Sequence, residues 1–136
     1  MGDLIKLRSV LKSDYEFLYQ LLSERDPRAN ISHQKMPTFQ QHVKFINSKP
    51  YSKWYIITFN DEKVGSIYLT FMNEIGIFLK KEFHGLGFGN KALRLLMKQN
   101  PKKRYLANIS PHNKKSIEFF KKNGFSLIQY TYELRK

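Results

Sequence analysis

At 136 residues the chain is long enough to cover one sheet with helices and short for two independent cores, so residues 1–136 read as a single domain. The absence of cysteine excludes a disulfide framework, a cysteine-ligated metal and a protein thiol nucleophile, and it suits a reducing compartment. A formal net charge of +13, from 24 Lys and Arg against 11 Asp and Glu, draws phosphate-bearing partners by long-range steering. Met1 to Val10 lacks a signal-peptide core and no apolar run approaches the ~20 residues that span a bilayer, so the expectation is a cytoplasmic protein with no membrane partner.

Leu4 to Val10 alternates loosely and predicts a first strand, followed by Ser13 as an N-cap and a helix with the apolar stripe Phe17, Leu18, Leu21 and Leu22. From Arg25 to Pro37 the chain is polar, interrupted by Pro27, Asn30 and Ser32, and reads as a loop of the substrate-selecting kind. Thr38 then caps a second helix carrying Val43, Phe45 and Ile46. Trp54 to Phe59 and Val64 to Phe71 are β-branched and aromatic, joined by Asn60-Asp61-Glu62-Lys63 as a polar hairpin connection. Glu74 to Leu79 makes a third consecutive strand.

Next comes His84-Gly85-Leu86-Gly87-Phe88-Gly89, and after it Ala92, Leu93, Leu96 and Met97 mark one face of a helix that stops before Pro101. Tyr105 to Ile109 is expected as a short strand. Ser110-Pro111 reads as the start of a last helix, with Ile117 and Phe120 on it and Asn123-Gly124 at its end. Phe125 to Leu134 is expected to close the chain as a strand. Glu74 to Ile109 reads as a right-handed βαβ crossover, and the fold class is α+β, a mixed, mostly antiparallel sheet flanked by helices.

Three glycines in six residues between a strand and a helix let the backbone approach a ligand, turn N–H groups inward and aim the positive end of the helix at an anion. A pyrophosphate suits that geometry. The spacing matches neither common phosphate motif, since Asn90 replaces the third glycine of a dinucleotide fingerprint and no Gly-Lys-Ser/Thr follows. Alternatively the glycines serve only a tight turn.

The loop resembles motif A of the GNAT superfamily of acyl-CoA N-acyltransferases, Gln/Arg-x-x-Gly-x-Gly/Ala after a strand, with Gly87 and Gly89 matching and His84 departing from the usual Gln or Arg. Asn113-x-x-Ser116-x-x-Phe119-Phe120-x-x-x-Gly124-Phe125 resembles the family's motif B, Asn-x-x-Ala-x-x-Leu-Tyr-x-x-x-Gly-Phe. The two motifs cover Glu74 to Phe125, while the N-terminal half agrees only in element order.

The resemblance implies an N-acetyltransferase fold and an acetyl-CoA-dependent enzyme that acetylates a primary amine by direct attack in a ternary complex, with no metal. It implies that the backbone of His84, Gly85, Leu86, Gly87, Phe88 and Gly89 holds the pyrophosphate. The strand backbone of Ile77, Phe78 and Leu79 would pair with the pantetheine arm, and Asn113 would contact that arm or cap its helix. Glu74, at the start of that strand, is the candidate base. Phe120, in the cofactor site by the motif, stands where relatives place a proton-donating tyrosine and cannot donate, so Tyr130 and Tyr132 are the substitute candidates.

The acceptor is expected to be a small-molecule or peptide amine, approached through residues 26–37 with His33 and through Tyr51, Trp54 and Tyr55, although these aromatics are equally core material. A polycationic acceptor is disfavoured by the surplus positive charge. Lys98, Lys102, Lys103, Arg104, Lys114, Lys115, Lys121 and Lys122 surround the motifs; some would meet coenzyme A phosphates and the rest lie on solvated helix faces. The expected assembly is a monomer or homodimer. A non-catalytic acyl-CoA-binding domain is the alternative, and a basic nucleic-acid-binding module, for which no motif is present, ranks last.

Overall fold

In the computed structural model, which describes residues 4–25 and 35–136, four strands form one antiparallel sheet in sequential order: β1 (Ile5–Ser9), β2 (Lys53–Phe59), β3 (Glu62–Leu69) and β4 (Ile75–Leu79). The hairpin between β2 and β3 is tighter than the sequence predicts. Asn60 and Asp61 both adopt positive φ, 49° and 69°, the two-residue turn that matches strand twist, so Glu62 and Lys63 belong to β3. Asn60 Oδ1 also accepts from the Leu4 N–H at 2.9 Å. Across β2 and β3 the register shifts after Ile57, which faces Gly65, while Thr58 faces Lys63. Val64 is the extra residue of that bulge and is buried in the core.

Alternation divides the sheet into two faces. On one, Tyr55, Ile57, Ile67, Leu69 and Ile75 pack against Phe88, Ala92, Leu93 and Leu96 of α3 (Phe88–Gln99) and Phe120 of α4 (Lys114–Lys122). On the other, Ile56 packs against Leu18 and Leu21 of α1 (Tyr15–Glu24) and Ile46 of α2 (Phe39–Asn47), with Trp54 alongside. Thr38 caps α2 as expected, its hydroxyl accepting from the Gln41 N–H at 3.1 Å while Gln41 Oε1 accepts from the Thr38 N–H at 2.9 Å.

Ser13 does not cap α1. It lies inside a short 3₁₀ turn, Lys12–Asp14, which Asp14 closes by accepting the Leu11 N–H at 2.7 Å. The last helix starts later than Ser110-Pro111 predicts, because Asn113 caps it, with Oδ1 accepting from the Ser116 N–H at 3.2 Å. Ser110 instead forms the preceding turn, accepting the Asn113 N–H on its carbonyl at 2.9 Å. The C-terminus of α4 is as expected: Gly124 has φ +91°, its N–H donates to Lys121 O, and the Phe125 N–H donates to Phe120 O at 2.9 Å. The Phe125 ring then packs edge-on to Phe120 at 5.0 Å, completing a Schellman cap.

Two predicted strands are absent. Tyr105 to Ile109 contributes a single parallel bridge, Leu106 to Glu74, because the chain leaves the sheet after Leu106 and sends Ala107 and Ile109 toward the core instead. That bridge is the parallel component of the otherwise antiparallel sheet. Phe125 to Leu134 is no strand: residues 126–136 make no backbone hydrogen bond to any described residue. β-branched and aromatic content signals a capacity to pair, and a ladder also needs a neighbouring edge. No described helix is long and apolar enough to cross a membrane.

Candidate active site

The site is built where β4 loses its second neighbour. In an antiparallel pair, alternate residues bond toward each side. The Thr70 N–H bonds Glu74 O, and the Lys80 N–H bonds Val64 O; the even positions of β4 therefore face β3 and the odd positions face outward. Ile75 does so, donating to Leu106 O at 2.7 Å. Beyond it the partner strand has departed, and the N–H groups of Ile77 and Leu79 meet no acceptor among the described residues. An open backbone edge, with its own donors and acceptors, accepts an extended ligand carrying amides much as it would accept another strand.

That edge runs directly into the glycine loop. His84 Nε2 lies 2.9 Å from Leu79 O, tying the loop to the strand end. Gly85 and Gly87 have φ +77° and +80°, and a Cβ at either would meet nothing within 4 Å, so both the left-handed backbone and the open approach are present. Gly87 is the N-cap of the 12-residue α3, whose first-turn N–H groups have no intrahelical acceptor. Gly85, Leu86 and Gly87 are exposed and their N–H groups have no acceptor among the described residues. Phe88 and Gly89 turn inward: the Phe88 ring packs tilted against Phe59 and Phe83, and a Cβ on Gly89 would press Phe119 at 3.1 Å. These two offer only backbone to a ligand.

The second motif braces the first. Asn123 Nδ2 donates to Asn90 Oδ1 at 2.8 Å, linking the end of α4 to the first turn of α3. Asn113 sits at the α4 cap, its oxygen committed to Ser116 and its amide N–H pair without an acceptor among the described residues. Phe120 is a core residue, 5% exposed, and packs on Phe119 and Phe125. Tyr130 and Tyr132, 74% and 91% exposed, lie on the unpaired C-terminal segment, and the structure does not bring them to the sheet.

Glu74 stands at the mouth of the edge, half-buried. Its Oε1 accepts from Thr70 Oγ1 at 3.0 Å, its Oε2 accepts from Asn108 Nδ2, and its own N–H donates to Thr70 Oγ1 at 2.9 Å. Both oxygens are thereby oriented, and each keeps a lone pair.

On the same face as Glu74 lies a wall the sequence reveals only in part. Tyr51 stacks on Tyr68 with ring centroids 3.8 Å apart, Trp54 meets Tyr51 edge-on at 4.8 Å, and the Arg25 guanidinium sits 4.1 Å over the Phe78 ring. Burial raises the pKa of both tyrosines and lowers that of Arg25. Tyr55 is separate from this wall, buried on the opposite face with its hydroxyl accepting from Asn100 Nδ2 at 3.1 Å. His33 and the rest of residues 26–34 lie outside the described residues. Arg25 and Tyr68 escape sequence reasoning because one ends a helix and the other reads as an ordinary strand aromatic. The available signal was Gly76, paired opposite Tyr68.

The fold is shared widely. A domain from Methanocaldococcus jannaschii superposes with a TM-score of 0.83 at 23% identity, covering 97% of this chain and 94% of that one. RimL, a ribosomal L7/L12 alpha-N-protein acetyltransferase in complex with coenzyme A, gives 0.74 at 21% identity over 92% and 81%. The aminoglycoside N-acetyltransferase AAC(6')-Iy in complex with CoA gives 0.73 at 15% identity over 100% and 97%. No curated protein matches the sequence significantly. These likenesses fix the architecture as the GNAT acyl-CoA N-acyltransferase fold, α+β. The model of the acetyltransferase (GNAT) domain matches residues 5–126, a span that includes the open strand edge and the glycine-rich helix start, and the chain belongs to the GNAT acetyltransferase family.

Proposed function

We propose that this chain transfers an acetyl group from acetyl-CoA to a primary amine by direct attack within a ternary complex. The observation that carries the reading is the unpaired β4 edge at Ile77 and Leu79 continuing into the open, left-handed glycines of the α3 start. Acetyl-CoA is the donor used by the family, and the residues present suit it. Ile77 and Leu79 offer N–H groups to the amides of an extended arm; Gly85, Leu86, Gly87 and the first turn of α3 offer N–H groups and a helix dipole to a pyrophosphate. When bound it supplies an acyl group already activated as a thioester.

The chain's own task is the amine. At pH 7 an amine of pKa ~10.4 is protonated, and deprotonating it costs roughly 4.6 kcal/mol. Glu74, oriented by Thr70 and Asn108, accepts that proton on a carboxylate oxygen, directly or through water. No covalent acyl-enzyme is needed, consistent with the absence of cysteine: the amine adds to the thioester carbonyl, the C–S bond breaks, and coenzyme A leaves as a thiolate that takes its proton from water, a thiol of pKa ~8.5 being a tolerable leaving group. Initial rates with both substrates varied should give intersecting lines; parallel lines would point to an acylated enzyme. Glu74→Gln should lower kcat about 10²-fold while leaving acetyl-CoA affinity within twofold, and an undiminished kcat would remove Glu74 from the role.

The burial of Phe120 favours a second reading, acyl-CoA binding without transfer, because no hydroxyl stands at that position. It predicts stoichiometric acetyl-CoA binding by calorimetry and no release of coenzyme A with any amine.

A further inference from the structure

We propose that the acceptor carries a carboxylate several bonds from its amine, and that Arg25 receives it at the Phe78 end of the aromatic wall. The inference rests on the transferase reading for the choice of an amine and goes beyond it in naming the second group.

Arg25 is the C-cap of α1, so its backbone is fixed by the helix, and its guanidinium lies 4.1 Å over Phe78. It is half-buried, yet no carboxylate lies within ion-pair distance of it among the described residues. Arg8, by contrast, is paired with Asp14 at 2.7 Å, and Arg94 and Arg104 are exposed. A guanidinium has five donors and no acceptor. One held against aromatic surface, with no carboxylate beside it among the described residues, suits a planar anion, and a carboxylate matches its fork.

The surroundings direct that anion. Tyr68 reaches across β4 over Gly76, where a Cβ would lie 2.1 Å from its ring, so the missing side chain at Gly76 is what lets Tyr68 and the stacked Tyr51 line this face. The wall is uncharged, with Arg25 at one end and Glu74 at the other. Glu74 and Phe78 share a face and lie four residues apart, about 13 Å along the strand. A ligand with its ammonium toward Glu74 and its carboxylate toward Arg25 must therefore separate the two by several bonds. An ω-amino acid does so, as does a peptide amino terminus followed by an acidic residue. The net charge of +13 favours the same class over polyamines.

Trp54 is the chain's single tryptophan and packs 4.8 Å from Tyr51, so its emission reports occupation of the wall whether or not acetyl transfer occurs. The experiment titrates wild type, Arg25→Gln, Arg25→Lys and Lys6→Gln with 6-aminohexanoate and with hexylamine, in the presence of coenzyme A. Wild type should bind 6-aminohexanoate about tenfold or more tightly than hexylamine, the scale of one charge-assisted pair. Arg25→Gln should erase the difference, Arg25→Lys should retain part of it, and Lys6→Gln, which removes a remote charge, should retain it all. Equal binding of the two amines by wild type, or a preference that survives in Arg25→Gln, overturns the proposal; the wild-type comparison decides even if the glutamine variant fails to fold. Ala-Asp amide against Ala-Asn amide repeats the test for peptides, and its outcome against that of 6-aminohexanoate tells a peptide acceptor from a free one. An Arg25-dependent preference without turnover would leave this site standing and sink the transferase reading. Turnover with equal kcat/KM for the two amines would do the reverse.

Discussion

Among the described residues, Asp14 is the most heavily engaged side chain. It is fully buried and accepts from Arg8 at 2.7 and 2.8 Å, from Lys63 at 2.7 Å and from the Leu11 N–H at 2.7 Å. Burial alone would raise its pKa, but the hydrogen bonds from Arg8, Lys63 and Leu11 outweigh it and hold the carboxyl well below the usual range. A depressed folded-state pKa stabilises fully above the unfolded value near 4 and is lost as pH falls below it. Asp14→Asn should therefore cost about 3 kcal/mol in urea unfolding at pH 7, with the gap to wild type closing as pH drops from 5 toward 2; a gap under 1 kcal/mol at pH 7 would contradict this. Nothing in the sequence marks Asp14, because Lys63 joins it from 49 positions away (63 − 14) and only the β1, β2 and β3 ladders bring them together. Arg25 and Tyr68 were hidden for the same reason, whereas the position of Glu74 ahead of the strand and glycine loop was legible because those elements follow it directly.

Among the elements, the glycine loop shows how far local chemistry reaches. Positive φ at Gly85, Gly87 and Gly124 was readable from glycine placed at a strand-to-helix turn and a helix end. The open β4 edge was not, since it depends on where Leu106 leaves the sheet, and the pattern at Tyr105 to Ile109 reads as an ordinary strand. Gly87→Ala has room for its Cβ but must hold φ near +80°, a strain of about 1–2 kcal/mol. It should stay folded, with acetyl-CoA affinity in calorimetry lowered at least tenfold as the loop relaxes; unchanged affinity would take the loop out of the cofactor site. At the C-terminus, the unpaired backbone of residues 126–136 should exchange its amide hydrogens at nearly unfolded rates, while Ile56, Ile57 and Ile67 at the sheet centre show the slowest exchange. Protection of 126–136 comparable to β2 would show that the segment has found a strand to pair with.

For the whole molecule, two layers of helices on one antiparallel sheet place all the proposed machinery on one edge. Both core faces were legible as apolar periodicities, and the face carrying α3 and α4 also carries the two motifs. The remaining face, with α1, α2 and the Tyr51, Tyr68 and Arg25 wall, depends on contacts distant in sequence, which is why the glycine loop and its helix could be read from residues and the wall required the fold. The excess of 13 positive charges should make acetyl-CoA association salt-dependent, slowing as ionic strength shortens the screening length from about 10 Å at 0.1 M to about 3 Å at 1 M. Acetyl transfer itself is measured by mixing the protein with acetyl-CoA and a panel of primary amines and following free coenzyme A and acetylated amine together. Both should appear in equimolar amounts with at least one amine, faster than without protein, and greatly slowed by Glu74→Gln. Tight acetyl-CoA binding with neither product above the protein-free rate for any amine would contradict it.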